Sequence, residues 1–381
     1  MYLRPGSVLG VIGGGQLGRM FAERARRMGY RVAALAETED DPAAQSADWT
    51  AVGPSDHLPT LRAFAETVDA ATVEFENVSA ASLRVLERAG VIVRPGWKTL
   101  RVSQDRLREK TFLTRGGFAP ADWRPLRTLA ELRSAFEELG LPMILKTSSS
   151  GYDGKGQIRV DSGGIEALGA AWASLGRTRC VAEKVVEFVA ELSVVVARGE
   201  GGETVAYPPG WNRHEKHILD STVMPAPFGP IIAFEAREIA KKIAEALGSI
   251  GVLTVEFFLT GEGALLVNEI APRPHNSGHL TIEAGVCDQF EQQVRALCGL
   301  PLGPAELHSP AAMANLLGDL WQGGEPNWRA ALRAEPAAKL HLYGKRAARP
   351  GRKMGHLTVL DPDPNQALER ALAARRALTS R

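Results

Sequence analysis

Short apolar runs alternate with helical patterns through the first hundred residues of the chain. Val8–Ile12 and residues 31–37, 72–75 and 91–94 read as strands, because each is a short apolar run bounded by polar or turn residues. Apolar residues recur at helical spacing between them, over residues 17–28, 61–68 and 80–89. Strands that alternate with helices form parallel sheets, so this part predicts a doubly wound α/β unit.

The pattern changes after residue 100. A helix is predicted over residues 103–115, and the strand Met143–Thr147 runs into a stretch rich in glycine and serine, residues 148–156, which predicts a loop. A helix over residues 165–175 and strands over 180–186 and 192–197 follow. These elements indicate a small α+β lobe.

The last part of the chain is rich in strands. A helix is predicted over residues 234–247, and strands 251–259 and 264–270 are joined by Thr-Gly-Glu-Gly, a hairpin signal. Two more strands, over residues 338–343 and 356–360, and a helix over residues 364–378 complete the pattern. We expect three domains, listed as residues 1–110, 111–190 and 191–381.

Composition narrows the function classes. The 381 residues carry 45 lysines and arginines against 44 acidic residues, a net charge of +1 with no basic block, so no nucleic-acid partner is expected. The three cysteines show no CxxC spacing, which fits a reducing compartment. No secretory signal pattern and no membrane-length apolar stretch is present. We expect a cytoplasmic protein without a membrane partner.

A glycine motif follows the first strand. Residues 13–18, Gly-Gly-Gly-Gln-Leu-Gly, satisfy G-x-G-x-x-G between a strand and a helix, and Glu37 ends the next strand, as in dinucleotide-binding folds. Amides at a helix N-terminus bind any suitable anion, so a sugar phosphate is another possible ligand, and a purely structural turn is a further alternative. Alone, the motif favours an NAD enzyme without excluding the others.

A pair of acids follows on the same sheet. Glu74 and Glu76 are two residues apart, so they share a face of the predicted strand and point toward the ligand crevice at its C-terminal end. The alternative is a solvated strand end.

The second glycine loop has phosphate-binding chemistry. Lys146 closes an apolar strand and needs a partner, and Lys155 lies in the loop that follows. Lysines and loop amides suit a triphosphate, although the Walker A pattern is absent, and a flexible hairpin tip is the alternative. Glu183–Val186 suit an adenine, and Glu191 suits a ribose; each is also compatible with a structural role.

Two carboxylates face each other on the predicted hairpin. Reflection through its turn places Glu256 opposite Asn268 or Glu269. Like charges directly opposite are destabilising, and Mg²⁺ between them would relieve this; the alternative is a splayed, solvated pair. Arg273, His275, Asn276 and Ser277 after the hairpin suit a phosphate or polar heterocycle. A late basic cluster suits a small anionic substrate; it comprises Lys345, Arg349, Arg352 and Lys353.

Five motifs in register carry a family resemblance over nearly the whole chain. Residues 13–20, 72–78, 150–157, 268–279 and 349–356 resemble those of N5-carboxyaminoimidazole ribonucleotide synthetases (PurK) of the ATP-grasp superfamily. The resemblance implies an ATP-grasp fold with an N-terminal Rossmann-like preATP-grasp parallel-sheet domain, a small lid lobe and a C-terminal mixed-sheet domain. It implies ATP- and bicarbonate-dependent carboxylation of 5-aminoimidazole ribonucleotide (AIR) through carboxyphosphate, with ADP and phosphate released.

The resemblance also implies site residues, Mg²⁺ (or Mn²⁺) and a homodimer. The ATP site would comprise Arg106, Lys146, Gly151, Tyr152, Asp153, Gly154, Lys155, Gly156, Gln157, Glu183, Lys184, Val185, Val186, Glu191, His214, Asn268 and Glu269. The AIR and carboxylation site would comprise Gln16, Leu17, Glu76, Tyr152, Arg273, His275, Asn276, Lys345, Arg352 and Lys353, and the metal ligands Glu256 and Glu269. The expected catalytic residues are Asp153, Arg273 and Lys345.

Other functions remain as alternatives. A formate-dependent glycinamide ribonucleotide transformylase or a biotin carboxylase would share the fold, but the first usually has Glu where Gln16 stands and the second should be longer. An NAD-dependent oxidoreductase leaves Lys146, the second glycine loop and the hairpin acids unexplained. A non-catalytic nucleotide-binding protein is disfavoured because both hairpin acids and the basic groups are present.

Overall fold

The computed structural model describes residues 2–149 and 156–379. Within these ranges the strands form three sheets of five, nine and four strands.

The first sheet is parallel, in the order β3-β2-β1-β4-β5. Its strands are β1 (Val8–Ile12), β2 (Arg31–Ala36), β3 (Trp49–Val52), β4 (Ala70–Val73) and β5 (Ile92–Val93). The helices of this part are α1 (Gln16–Arg27), α2 (Leu58–Ala65), α3 (Ala80–Arg88), α4 (Trp97–Ser103) and α5 (Arg106–Arg115). Almost every residue of β1, β2 and β4 is buried, because helices cover both faces of the sheet.

The four-stranded sheet is antiparallel, in the order β6-β9-β7-β8. Its elements are β6 (Trp123–Leu126), α6 (Leu129–Leu139), β7 (Met143–Thr147), β8 (Gln157–Val160), α7 (Gly164–Ser174) and β9 (Cys180–Lys184). Leu132 of α6 and Trp172 of α7 share one core with the strands, so both helices pack against this sheet. The opposite face of the four-stranded sheet is directed toward the rest of the molecule.

The third sheet follows the path β15-β14-β10-β12-β13-β16-β18-β17, and β11 pairs with β10. Its strands are β10 (Ala190–Arg198), β11 (Thr204–Ala206), β12 (Gly210–Glu215), β13 (Ile218–Met224), β14 (Gly251–Leu259), β15 (Leu265–Ala271), β16 (Ala311–Leu317), β17 (Lys339–Leu342) and β18 (Lys353–Leu360). The helices of this part are α8 (Gly229–Leu247), α9 (Thr281–Ala284), α10 (Gln289–Cys298), α11 (Trp328–Ala334) and α12 (Pro364–Ala377).

Helix α10 joins the first and third sheets. Phe290, Val294 and Leu297 on α10 share a core with Leu17 and Phe21 on α1, so the two parts of the chain are packed through apolar side chains. The strand ends that carry polar residues therefore meet in the space between the sheets.

Most predicted elements are present, with shifted ends. The strand predicted over residues 72–75 is β4, Ala70–Val73, so Glu74 and Glu76 follow the strand and do not share one of its faces. The helix predicted over residues 103–115 is α5, which begins at Arg106 because Asp105 caps it by accepting bonds from the amides of Leu107 and Arg108. Helix α4, which ends at Ser103, was not predicted. The C-terminal sheet, expected to be mixed, is antiparallel in each of its strand pairings.

Candidate active site

A cleft of about 1290 Å³ lies where the three sheets meet. Most of the described residues that the sequence predicts for the site line it. They are Gln16, Leu17, Glu76, Arg106, Lys146, Gln157, Glu183, Lys184, Val185, Val186, Glu191, His214, Glu256, Asn268, Glu269, Arg273, His275, Asn276, Lys345, Arg352 and Lys353. Gln16 and Lys353, which lie 337 positions apart in the chain, therefore share one cavity.

A few predicted residues are not among those that line the cleft. Gly156 is described but is not part of the lining, and its positive φ of 72° suits the start of β8. The predictions for Gly151, Tyr152, Asp153, Gly154 and Lys155 lie outside the described residues.

The first glycine motif is closed by a carboxylate of the same chain. Glu74 Oε1 accepts the amide hydrogen of Gly15 at 2.6 Å, and Oε2 accepts that of Gly18 at 3.1 Å. A Cβ on Gly15 would lie 2.5 Å from Glu74 Oε1, so the glycine permits this close approach. Because Glu74 takes the amides that a pyrophosphate would need, the motif here is a helix cap, which disfavours the NAD alternative. Burial raises the pKa of Glu74 above its usual range.

Glu76 has a different role. Its carboxylate forms a two-pronged ion pair with Arg273: Nε contacts Oε2, and Nη2 lies 3.2 Å from Oε1. Burial opposes ionisation, but the Arg273 charge holds the pKa of Glu76 below its usual range. The main-chain oxygen of Glu76 accepts a bond from Gln104, which fixes the segment after β4. Glu74 and Glu76, which the sequence predicts on one strand face, therefore have separate roles: Glu74 caps α1, and Glu76 binds Arg273.

Lys146 has the partner that its apolar strand requires. Its Nζ donates to Glu183 Oε2 at 2.9 Å, and Lys110 Nζ lies 3.5 Å from the same oxygen. Burial opposes ionisation of Glu183, yet the two lysines lower its pKa to about 2. The other oxygen, Glu183 Oε1, is buried and has no hydrogen-bond partner within residues 2–149 and 156–379. This cluster carries a net positive charge at the wall of the cleft, which suits phosphate oxygens.

The hairpin acids face each other as the sequence predicts. Glu256 pairs with Glu269 in the register of β14 and β15, and a bulge follows, because Phe257 pairs with Val267 and leaves Asn268 as the extra residue. Burial and the nearby Glu269 charge raise the pKa of Glu256 above its usual range. Asn268 Oδ1 is buried and has no hydrogen-bond partner among the described residues. Two opposed carboxylates and this amide oxygen form an oxygen-rich site.

An arginine and a histidine contact the hairpin acids. Arg106 Nη1 lies 3.3 Å from Glu269 Oε2, and His275 Nε2 lies 3.2 Å from Glu256 Oε1. Burial and the Arg273 charge lower the pKa of His275 far below its usual range, so this imidazole is neutral. Its Nδ1 lies 2.9 Å from Ser277 Oγ, which fixes the ring orientation.

The opposite wall carries a further acid and histidine. His214 Nδ1 on β12 lies 3.1 Å from Glu191 Oε2 on the neighbouring strand β10. Burial opposes protonation of His214, but Glu191 raises its pKa above the usual value. The Glu191 carboxylate therefore favours the protonated form of His214.

The late basic loop closes one side of the cleft. Lys345 Nζ donates to the carbonyl of Lys353 at 2.7 Å, and Arg352 Nη1 donates to the carbonyl of Ala347 at 2.8 Å. Arg346 pairs with Asp40 beyond α1, which ties this loop to the first sheet. These contacts gather the predicted basic residues on one rim of the cavity.

Several residues of the site were not predicted from the sequence. Glu109 and Lys110 on α5 are buried and bond the backbone of β15, and Gln289 bonds both main-chain groups of His275. Asn315 and Asn276 exchange two side-chain hydrogen bonds. Glu109 and Lys110 do not stand out in the sequence, because α5 carries three arginines and two threonines besides them. Gln289 and Asn315 lack a signal because their partners are distant in the chain.

The described residues hold no group of three or more His, Cys, Asp or Glu side chains arranged to bind a metal. A cation at Glu256 and Glu269 would therefore depend on further oxygen ligands, as Mg²⁺ does when it is shared between carboxylates and phosphates. In the same part of the chain, none of the helices has the length and apolar character needed to cross a membrane.

Family models cover most of the chain. Residues 7–104 match the ribonucleotide synthetase preATP-grasp domain, residues 111–290 match the ATP-grasp domain, and residues 311–370 match the phosphoribosylaminoimidazole carboxylase C-terminal domain.

Known proteins resemble the chain over nearly its full length. The N5-carboxyaminoimidazole ribonucleotide synthase of Bacillus subtilis is 42% identical over 93% of this chain and 92% of its own. The crystal structure of the Staphylococcus aureus N5-carboxyaminoimidazole synthetase with ADP has a TM-score of 0.90 at 37% identity, covering 98% of each chain. The Aspergillus clavatus synthase in complex with ADP and 5-aminoimidazole ribonucleotide has a TM-score of 0.86 at 33% identity, covering 98% of this chain and 99% of that one.

Proposed function

The chain belongs to the N5-carboxyaminoimidazole ribonucleotide synthase family of ATP-grasp ligases, and from this premise we propose how its residues share the reaction. The protein is an ATP-dependent carbon–nitrogen ligase that carboxylates AIR in purine biosynthesis. The observation that carries the assignment of roles is the single cleft in which the Glu256–Glu269 pair, the Lys146–Glu183 pair and Arg273 meet.

We propose that the nucleotide lies between the four-stranded sheet and the hairpin acids. Lys146 and Arg106 would neutralise phosphate oxygens, and Glu191 would accept bonds from the ribose. The adenine would bond the main chain of residues 183–186 at the end of β9. The family motif adds Gly151, Tyr152, Gly154 and Lys155, which lie outside the described residues, and Gly156 and Gln157 at the start of β8.

We propose Mg²⁺, or Mn²⁺ in its place, as the cation of this site. Glu256 and Glu269 would hold it, and the fit rests on their direct opposition, the raised pKa of Glu256 and the unpartnered Asn268 Oδ1. The cation supplies positive charge shared by the carboxylates and phosphate oxygens. Arg106 holds the Glu269 carboxylate in place at the edge of the hairpin.

We propose that bicarbonate is the carbon source and that carboxyphosphate is the intermediate. Glu76 holds the Nε–Nη2 edge of Arg273, and the remaining N–H groups of the guanidinium would donate to the carboxyphosphate oxygens and stabilise their negative charge. Lys345 and Arg352, with Lys353, would bind the phosphate of AIR.

The remaining groups would position AIR and manage its proton. Gln16, Leu17, His275 and Asn276 would line the ribonucleotide site together with Tyr152. Asp153 would accept a proton from the exocyclic amine, a role that rests on the family motif. Enclosure by the second glycine loop would exclude water, to which carboxyphosphate is labile.

We propose further that the domains divide at residues 110 and 190 and that the protein works as a cytoplasmic homodimer. The ranges of the three sheets support the division, because they span residues 8–93, 123–184 and 190–360. The dimer and the compartment rest on the family resemblance.

The test is ADP release with ATP, Mg²⁺ and bicarbonate, measured with and without AIR. We expect release to depend on AIR and on bicarbonate, and to fall by at least about 100-fold in Glu269→Gln, because one metal carboxylate is lost. The exposed Arg115→Ala variant is the control and should match the wild type.

Product identification separates the outcomes. Formation of N5-carboxyaminoimidazole ribonucleotide supports the proposal. ADP release that ignores AIR would mean that the substrate assignment is wrong, and a Glu269→Gln variant with wild-type activity would refute the metal site.

A further inference from the structure

The metal-binding strand lies at the edge of its sheet and is interrupted beside Glu269. Within its sheet, strand β15 pairs only with β14 among the described residues, and its outer edge makes one isolated bridge, in which the amide of Val267 donates to the carbonyl of Ala119. The bulge leaves Asn268 without a ladder partner. An edge strand with a bulge has unpaired backbone groups, and its local position is weakly fixed by the ladder alone. A carboxylate that must oppose Glu256 needs additional support at this point.

Helix α5 supplies hydrogen bonds on both sides of Glu269. Lys110 Nζ donates to the carbonyl of Asn268 at 3.1 Å, and Glu109 Oε1 accepts the amide hydrogen of Ile270 at 2.6 Å. Each bond satisfies a main-chain group of β15 beside Glu269, and both side chains are at least 98% buried. The backbone of Glu269 is therefore held from the residue before it and the residue after it.

The same helix also holds the Glu269 side chain. Arg106, one turn before Lys110, pairs with Glu269 Oε2 at 3.3 Å. The helix is itself anchored, since Asp105 caps its N-terminus and Lys110 reaches Glu183 on β9. Three side chains at helical spacing on one face thus contact three successive residues of β15.

We propose that Glu109 and Lys110 are positioning residues that set the place of the Glu269 carboxylate opposite Glu256. The proposal rests on the metal role given to Glu269 above. Neither residue contacts the cation or the substrates in this assignment; each acts through the backbone of β15. Loss of either bond leaves a buried main-chain group unpaired, and the bulge can then relax away from the position that suits the cation.

The test measures cation binding directly. Mn²⁺ binding to the full-length protein in the presence of ADP is followed by electron paramagnetic resonance, and the Mg²⁺ concentration for half-maximal ADP release is measured in parallel. We expect Glu109→Ala to weaken Mn²⁺ binding and raise the Mg²⁺ requirement, each by about tenfold, with the KM for AIR unchanged. Glu109→Gln keeps an oxygen acceptor for Ile270 and should stay within about twofold of the wild type.

Lys110→Met provides a second variant, because Lys146 still neutralises Glu183 when Lys110 is lost. It should weaken Mn²⁺ binding in the same way, and Arg115→Ala on the exposed end of α5 should not. If Glu109→Ala and Lys110→Met lower the unfolding midpoint but bind Mn²⁺ as the wild type does, Glu109 and Lys110 are only structural and the proposal is overturned. If Glu109→Ala does not fold, Lys110→Met decides alone.

The metal site itself is tested in the same experiment. Glu256→Gln and Glu269→Gln should abolish tight Mn²⁺ binding. If they do so while Glu109→Ala and Lys110→Met bind normally, the positioning role is wrong and the metal site stands. If they have no effect, the proposed metal site is wrong and the positioning proposal is overturned with it.

Discussion

Replacing Glu183 with glutamine is expected to destabilise the protein strongly, because Glu183 neutralises two lysines in the interior. Lys110 is fully buried and Lys146 is 8% exposed, and both contact the same oxygen of Glu183. Removal of one partner from a buried ion cluster leaves uncompensated charge, which costs about 3 to 5 kcal/mol.

The pKa of Glu183 gives a second measure of the same interaction. A fall from the usual 4.5 to about 2 corresponds to roughly 3 kcal/mol of net stabilisation of the carboxylate at neutral pH. The two figures agree, so we expect Glu183→Gln to lower the free energy of unfolding by about 3 kcal/mol at pH 7.

The sign of the pH dependence follows from the lowered pKa. The stabilisation is fully present above pH 4.5, where the unfolded carboxyl is ionised, and is lost as the pH falls toward about 2. The difference between the wild type and Glu183→Gln should therefore shrink in this window.

Urea unfolding followed by tryptophan fluorescence is the assay. The matched control is Asp161→Asn, which breaks the exposed Arg159–Asp161 pair of 2.7 Å near the same sheet and should cost less than about 1 kcal/mol. A second variant, Glu183→Gln with Lys110→Met, removes one of the two buried ammonium groups that Glu183→Gln leaves without a carboxylate, and it should recover part of the loss. A loss of unfolding free energy below about 1 kcal/mol for Glu183→Gln would refute the reasoning, because the buried ion cluster would then stabilise the protein no more than an exposed ion pair does.

Three further predictions concern pH and the substrate cleft. The buried imidazoles of His279 and His356 have pKa values far below the usual 6.5. The stability that is present above about pH 6.5 should therefore fall as the pH drops below this value. His356→Asn should weaken this dependence of the unfolding free energy on pH, measured by urea titrations at about pH 5 to 7. Because burial and the Glu269 charge raise the pKa of Glu256, Mg²⁺ binding should strengthen with rising pH and should release protons. Calorimetry in two buffers of different ionisation enthalpy measures this release, and finding none would contradict the prediction. Arg273→Lys keeps the charge but loses the fork that Glu76 orients, so kcat should fall by at least about tenfold with the KM for ATP unchanged, as steady-state kinetics would report.

Local patterns predicted the elements that are buried and regular. β1 and β14 have the predicted bounds. The hairpin turn placed Glu256 opposite Asn268 or Glu269, because turn length fixes antiparallel register, and the structure has Glu269 as the partner, with the bulge at Asn268. Strand β3, Trp49–Val52, was missed because it is short and half-exposed, without a clear apolar run.

Contacts between distant residues limited the prediction of the site. The pairing of Glu76 with Arg273 spans 197 positions, and the cap that Glu74 forms on α1 depends on the strand ending two residues earlier than its apolar run suggested. The family motifs identified Lys146 and Glu183 but not Lys110, whose role depends on the docking of α5 between two sheets.

The carboxylate that caps α1 also bears on how glycine motifs are interpreted in other chains. A motif of this spacing presents amides that bind an anion, and here the anion is the Glu74 carboxylate of the same polypeptide, 59 positions after Gly15. The discriminating residue is therefore the one that follows the neighbouring parallel strand, outside the motif. A chain with the same glycines and a small apolar residue in place of Glu74 would leave two amides free to bind a phosphate from solution. The residue at that single position therefore decides whether the motif binds a cofactor or is capped by its own chain.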